Sequence, residues 1–459
     1  MQNTVTPINN EVKRIKLALD SISIYRQLLE DKVINRLHTL VNYINSEDID
    51  LGHFISLYND FFYTLACNSN NSLKEYIVDK IIFQESPYSR IVETPEFNER
   101  KNPFEEAIRN DLVNLQLISE FTSFQIKNYI KEHVDESIFY SEIIERLPDW
   151  GIEEQCTHTG NVYANHITIL KEEFYKSNDW GSCLEALDEF YKKYGCGIFS
   201  RFRAFTWDKV KEQGYLKGVE TPDPTKLSDL IDYEFERSKI IENTLQFVNG
   251  FPANNMLLYG DRGTGKSSTV KAVLNEYYLQ GLRMIEVPKA HLVDFPVIIN
   301  SLKNKPQKFI IFIDDLAFED TGDSYSALKA VLEGGVEGKP SNVIIYATSN
   351  RRHLVKESFS DRSGLQYGSA NDELHAADNI QEKLSLADRF GITVVFTSPN
   401  KNKYLEIVDG IAEKRKLKID KEILHAEAIK WELKYNGRSP RTARQFIDWI
   451  EGKEEFHNL

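Results

Sequence analysis

The sequence predicts an α/β core: a five-stranded parallel sheet with helices on both faces, followed by a small C-terminal helical subdomain and preceded by a mostly α-helical N-terminal domain. Three observations predict it. From Lys226 onward, apolar runs at Met256–Tyr259, Arg283–Val287, Phe309–Ile313, Val343–Thr348 and Thr393–Phe396 alternate with helical stretches, the pattern of a parallel sheet covered by helices. After Pro399 the strand-like runs stop, and Lys403–Lys416, Lys421–Tyr435 and Pro440–Ile450 read as helices. Before residue 200, apolar residues recur at helical spacing, as Ile15, Leu19, Ile22, Tyr25 and Leu29 do within Glu11–Val33.

The first predicted strand, Met256-Leu257-Leu258-Tyr259, runs into a glycine-rich turn and then a helix. The turn fits G-x-x-x-x-G-K-[ST], with Gly260, Gly265, Lys266 and Ser267 in the defining places. Glycines let the backbone curl so that several N–H groups point at one phosphate cluster, and the helix N-terminus behind them adds partial positive charge. Gly260, Asp261, Arg262, Gly263, Thr264, Gly265, Lys266, Ser267 and Ser268 are therefore the candidate phosphate-binding residues. Lys266 has the reach for the β- and γ-phosphates, and the Ser267 hydroxyl is placed to ligate Mg²⁺.

Roughly 50 residues further on, Phe309–Ile313 reads as a buried central strand ending in Asp314-Asp315. Ligands of open α/β sheets bind at the carboxyl ends of strands. Asp314 is placed to hold Mg²⁺ through water, and Asp315 to orient or deprotonate an attacking water.

At 459 residues the chain exceeds one ordinary core, so two or three domains are expected. Its net charge of −14 argues against nucleic-acid binding by the whole surface, though not by a local basic face. No apolar run approaches a membrane span, and the N-terminal stretch lacks the layout of a secretory signal, so a cytoplasmic location is expected. Cys67, Cys156, Cys183 and Cys196 form no C-x-x-C pair and read as reduced thiols.

The expected division is a helical domain over 1–194, a linker over 195–225, the α/β core over 226–399 and the helical lid over 400–459. Glu105–Val134 is the longest periodic helix candidate, and the aromatic-rich stretch Phe54–Ala66 reads as core. In the linker, Arg201, Arg203, Lys209 and Lys211 interleave with Phe199, Phe202, Phe205 and Trp207. Such a mixture can stack single-stranded nucleic acid, but the favoured reading is a segment packed against the next domain.

On PANNMLLYGDRGTGKSS, IDDL, YATSNRRHL, EKLSLADRFG and GRSPRTARQF, the chain resembles the AAA-type (AAA+) P-loop ATPases, and more narrowly the bacterial family known as domain of unknown function 815. The resemblance covers about Lys226–Ile450 with a lead-in at Phe199–Trp207. It implies a P-loop NTPase AAA+ core with a helical lid, ATP with Mg²⁺, and a homo-oligomer, a hexameric ring or a filament. It also implies roles: Asn350 as the polar sensor of the γ-phosphate or water, Arg389 as an arginine finger reaching a neighbouring subunit's nucleotide, and Arg441 as a second sensor, with Arg444 its rival. Leu230 and Ile231 resemble the adenine-side lead-in.

The chain departs from the wider superfamily in two places. Asp315 stands where glutamate is usual, one methylene longer, and Glu319 is a weak substitute. The place of the threading loop reads Pro288–Asp294, with no glycine and no Phe, Tyr or Trp, which argues against an unfoldase. The leading expectation is an ATPase that remodels or loads a macromolecular partner, with the N-terminal helices recognising a protein. The alternatives are an ATP-gated binding switch with little turnover, and a nucleic-acid remodeller using Arg351, Arg352 and the basic-aromatic segment.

Overall fold

The computed structural model describes residues 7–46, 48–69, 72–94, 104–133, 138–151, 165–211, 213–316, 328–329, 331–332, 340–350, 389–435 and 437–457. Glu319, Arg351, Arg352 and Cys156 lie outside the described residues. The chain forms two compact units, Met1–Arg201 and Phe202–Leu459.

The first unit is helical. It holds α1 (Pro7–Asp20), α2 (Lys32–Ile44), α3 (Leu51–Ser69), α4 (Leu73–Phe83), α5 (Pro87–Val92), α6 (Glu105–Ser119), α7 (Ser123–His133), α8 (Ile138–Glu145), α9 (Asn165–Lys176), α10 (Leu184–Tyr194) and α11 (Ile198–Arg201). Phe54, Tyr58 and Phe61 of α3 are fully buried, and the Tyr58 and Phe61 rings pack on Trp150, so that aromatic stretch is core.

Two expected long helices are broken, each by a side chain from elsewhere. Glu11–Val33 divides because the buried Asp111 carboxylate of α6 accepts the backbone N–H groups of Ser23, Ile24 and Tyr25 at 2.7–3.1 Å. Asp31 then caps α2, accepting from Val33 N at 3.0 Å. Glu105–Val134 divides at Phe121, whose carbonyl accepts the buried Trp150 indole N–H at 3.1 Å.

The second unit is built on a seven-stranded sheet. Its strands are β1 (Ala204–Val210), β2 (Gln213–Gly218), β3 (Met256–Gly260), β4 (Leu282–Glu286), β5 (Lys308–Ile313), β6 (Val343–Ser349) and β7 (Ile392–Phe396), in the order β2-β1-β4-β5-β6-β3-β7. The five expected strands are parallel throughout. All residues of β6 are buried, so the sheet is covered on both faces.

The expectation of five strands and of a linker over 195–225 is corrected here. Residues 204–218 form a hairpin that extends the sheet, β1 pairing parallel to β4 at Ala204↔Met284 and antiparallel to β2. Its aromatic rings serve packing. Phe205 and Trp207 are buried, Trp207 lies over Gly214, and its indole N–H donates to Asp294 at 3.0 Å. Lys209 pairs with the same carboxylate at 2.8 Å. Those two rings are closed to base stacking.

Helices α12 (Glu234–Val248), α13 (Lys266–Tyr277) and α14 (Phe295–Leu302) belong to the core. Ile240 and Phe247 of α12 join Leu258, Ile310, Ile344 and Val394 of the sheet in one apolar cluster. The lid is α15 (Lys401–Lys414), α16 (Lys421–Lys434) and α17 (Pro440–His457), close to the three expected helices. Tyr404, Ile407, Leu424, Ala428, Phe446 and Ile447 form its own core.

Candidate nucleotide site

Parallel pairing aligns the carboxyl ends of β3, β5, β6 and β7 along one edge of the sheet, and the candidate residues gather there. Gly260 ends β3 at φ 133°, and a Cβ on it would lie 2.0 Å from the Phe396 carbonyl oxygen of β7, so no other residue fits without a shift of backbone. Gly263 and Gly265 also have positive φ, 77° and 93°. α13 starts at Lys266, so the helix N-terminus opens onto the turn.

Lys266 is buried, and its Nζ donates to the carbonyls of Gly260 at 3.0 Å and Asp261 at 2.6 Å. Burial pushes its pKa down to about 8 against the opposing pull of Asp261, Asp314 and Asp315. The ammonium is thus stored on the loop's own oxygens.

Ile313 pairs with Ala347, which sets Asp314 beside Thr348. One oxygen of Asp314, Oδ1, accepts the Ser267 hydroxyl at 2.6 Å and the Thr348 hydroxyl at 2.6 Å. Thr348 Oγ1 in turn accepts from Asp315 N at 2.9 Å. Asp315 has a left-handed backbone, φ 54°. Its carboxylate accepts from Asn350 Nδ2 at 2.6 Å and lies 3.4 Å from Lys289 Nζ. The Ser267 hydroxyl and the Asp314 carboxylate are hard oxygen donors in contact, which fits Mg²⁺ when phosphates and water supply its remaining ligands. Among the described residues no cluster of three or more His, Cys, Asp or Glu side chains forms a metal cage.

The lid closes over the other side. Arg441 N donates to the Gly263 carbonyl at 3.2 Å, and the Arg441 charge is felt at Lys266. Arg444 instead lines a small open cleft, together with Leu230, Ile231, Phe396, Ile407 and Ile411. Ile231 packs on the lid core, and a Cβ on Gly410 of α15 would lie 2.8 Å from its Cδ1. The cleft is lined mainly by apolar side chains, with Asp229, Arg237 and Arg444 at it, and runs to Thr264 and Gly265 of the loop.

The structure therefore brings together the loop residues, Asp314, Asp315, Asn350, Arg441, Leu230 and Ile231. It does not bring Arg389 to them. Arg389 precedes β7, and Met256↔Ile392 and Gly260↔Phe396 set the loop at the other end of that strand, about 13 Å along it.

Sequence reasoning missed Thr348 and Lys289. The signal for Thr348 was its place two residues before Asn350, near the end of β6. Lys289 had no signal, because its pairing with Asp315 depends on where the 3₁₀ turn Lys289–Asp294 leaves β4.

A family profile described as "Protein of unknown function (DUF815)" matches residues 200–454. No curated protein matches the chain. Among solved structures, a variant of Thermotoga maritima RuvB is similar at 17% identity and TM-score 0.34, covering 50% of this chain and 67% of that one. Thermotoga maritima RuvB described as a Holliday junction branch migration motor is similar at 16% identity and TM-score 0.33, with the same coverage.

Proposed function

The chain belongs to the DUF815 family and has an AAA+ P-loop ATPase fold, and from that premise we propose that it binds ATP with Mg²⁺ and hydrolyses it in an assembly of its own copies to remodel or load a macromolecular partner. The observation that carries this reading is the convergence of Lys266, Ser267 and Asp314 at one strand edge, with Asp315 and Asn350 beside them.

In this mechanism Lys266 leaves the Gly260 and Asp261 carbonyls for the β- and γ-phosphate oxygens. Ser267 and Asp314 would hold Mg²⁺, which would supply positive charge against the phosphates. Asp315 accepts the proton of, or orients, the attacking water, and Asn350 fixes the carboxylate that does so. Arg441 approaches the phosphates from the lid, and Leu230 and Ile231 hold the base. Arg389, far from its own loop along β7, serves the nucleotide of an adjacent copy. Six copies in a ring, or a filament, would bring that about. The N-terminal helices are the part we assign to a protein partner, in the cytoplasm; among the described residues no helix is long and apolar enough to cross a membrane.

The test is ATP binding and turnover for Lys266→Ala. The expected result is turnover reduced by roughly 10²-fold or more, the scale of losing one charge-stabilising donor. Unchanged turnover contradicts the catalytic assignment.

One observation favours a second reading, an ATP-gated switch with little turnover. Asp315 is held by Asn350 and Lys289 and is one methylene shorter than glutamate, so its carboxylate starts further from a water on the γ-phosphate. Tight ATP binding with negligible hydrolysis, partner present, is its signature. The nucleic-acid reading has less support, since Phe205 and Trp207 are buried.

A further inference from the structure

We propose that Asp261 is a positioning residue that couples occupancy of the phosphate loop to the hinge of the lid. The inference rests on the reading of Gly260–Ser268 as the phosphate site.

The N–H, the carbonyl and one carboxylate oxygen of Asp261 are engaged, and their partners lie on the loop, at the end of β7 and on the connection to α15. Its N–H donates to the Phe396 carbonyl at 2.9 Å, at the end of β7. One carboxylate oxygen, Oδ2, accepts from Ser398 N at 2.7 Å. Its carbonyl accepts from Lys266 Nζ at 2.6 Å and from Thr264 Oγ1 at 2.9 Å. Ser398 lies in the short connection from β7 to α15, the first helix of the lid. The Tyr233 hydroxyl donates to the Thr397 carbonyl next to it at 2.7 Å, so the connection is gripped from the loop side and from the base side.

Asp261 is thus the shared residue of two arrangements that nucleotide changes. Moving Lys266 onto phosphate oxygens strips the ammonium from the Asp261 carbonyl. It also brings a polyanion into the loop beside the exposed Asp261 carboxylate, and like charges at that range repel. The repulsion weakens the carboxylate's grip on Ser398 N. The lid, held on the loop through Arg441 N and Gly263 O, is then free to turn on residues 397–400. Asparagine at this position keeps an acceptor for Ser398 N but carries no charge; alanine removes both.

The experiment is hydrogen exchange of the segment 397–404 in the full chain, with and without ATP·Mg²⁺, for wild type, Asp261→Asn and Asp261→Ala, alongside ATP binding by each. In wild type the segment is protected without nucleotide and exchanges about 10-fold faster or more with ATP bound. In Asp261→Ala it exchanges fast in both states. In Asp261→Asn, at ATP concentrations that saturate that variant, it stays protected in both states. Two results overturn the proposal while leaving the phosphate site intact: wild type that binds ATP with no change in the segment, or nucleotide-free Asp261→Ala as protected as wild type. Wild type that binds no ATP overturns both this inference and the proposed function.

Discussion

Thr348 donates its hydroxyl to Asp314 at 2.6 Å, on the same carboxylate oxygen that takes the Ser267 hydroxyl. The same Thr348 oxygen accepts the Asp315 N–H, so one buried side chain fixes both acidic residues at the end of β5. Valine has nearly the same shape and none of the hydrogen bonds. Thr348→Val is expected to raise the Mg²⁺ concentration for half-maximal ATPase by about 10-fold, the scale of a hydrogen bond to a charged group. Serine at this position is expected to restore most of it. Identical Mg²⁺ dependence in wild type and Thr348→Val contradicts the role.

Gly260 and Gly437 both have positive φ, but only Gly260 is crowded. A Cβ there meets the Phe396 carbonyl oxygen at 2.0 Å, whereas at Gly437 it meets nothing within 4 Å. Gly260→Ala is expected to destabilise the unit by roughly 2 kcal/mol or more and to abolish ATP binding. Gly437→Ala is expected to cost about 1 kcal/mol, the left-handed penalty alone. Thermal unfolding and ATP titration of both variants decide the matter; equal effects would remove the close-approach argument.

In the helical unit, the Lys127 ammonium hydrogen-bonded to Asp149 at 2.7 Å, helped by the Ser123 hydroxyl, holds that carboxyl below the usual carboxylate range. A depressed carboxyl pKa stabilises the fold above its ordinary value, and the contribution is lost as pH falls through the folded value. Lys127 is buried and also donates to the Leu147 carbonyl at 2.6 Å, so the pair joins α7 to the segment after α8. Urea unfolding at pH 6 and pH 3 is expected to show a smaller acid loss for Asp149→Asn than for wild type. Equal losses contradict the linkage.

Much of the second unit was legible because its signals are local. Apolar runs located the five core strands to within a residue or two, and glycine spacing located the turn between β3 and α13. The hairpin Ala204–Gly218 was not legible, since its place in the sheet comes from pairing with β4, some 80 residues away by Ala204↔Met284. Only Phe205 and Trp207 alternate inward on β1, and β2 has no buried residue, too short a pattern to announce a pair of strands. The break at Ser23–Tyr25 was hidden for the same reason: the carboxylate that takes those N–H groups is Asp111, 86–88 residues on. Of the candidate site, the loop Gly260–Ser268, Asp314, Asp315 and Asn350 gather at one edge of the sheet while Arg389 does not, and Thr348 and Lys289 needed the register and the turn after β4.

The central claim is hydrolysis completed by a neighbouring copy, and it is tested most directly by steady-state ATP hydrolysis against protein concentration for wild type and Arg389→Ala, with ATP binding measured in parallel. Arg389 precedes β7, at the far end of that strand from its own Gly260–Ser268 loop, and in the proposed mechanism it acts across copies. The account predicts specific activity that rises with concentration in wild type, and an Arg389→Ala protein that binds ATP normally but turns over at least roughly 10²-fold more slowly. Specific activity independent of concentration, with full turnover in Arg389→Ala, would contradict it.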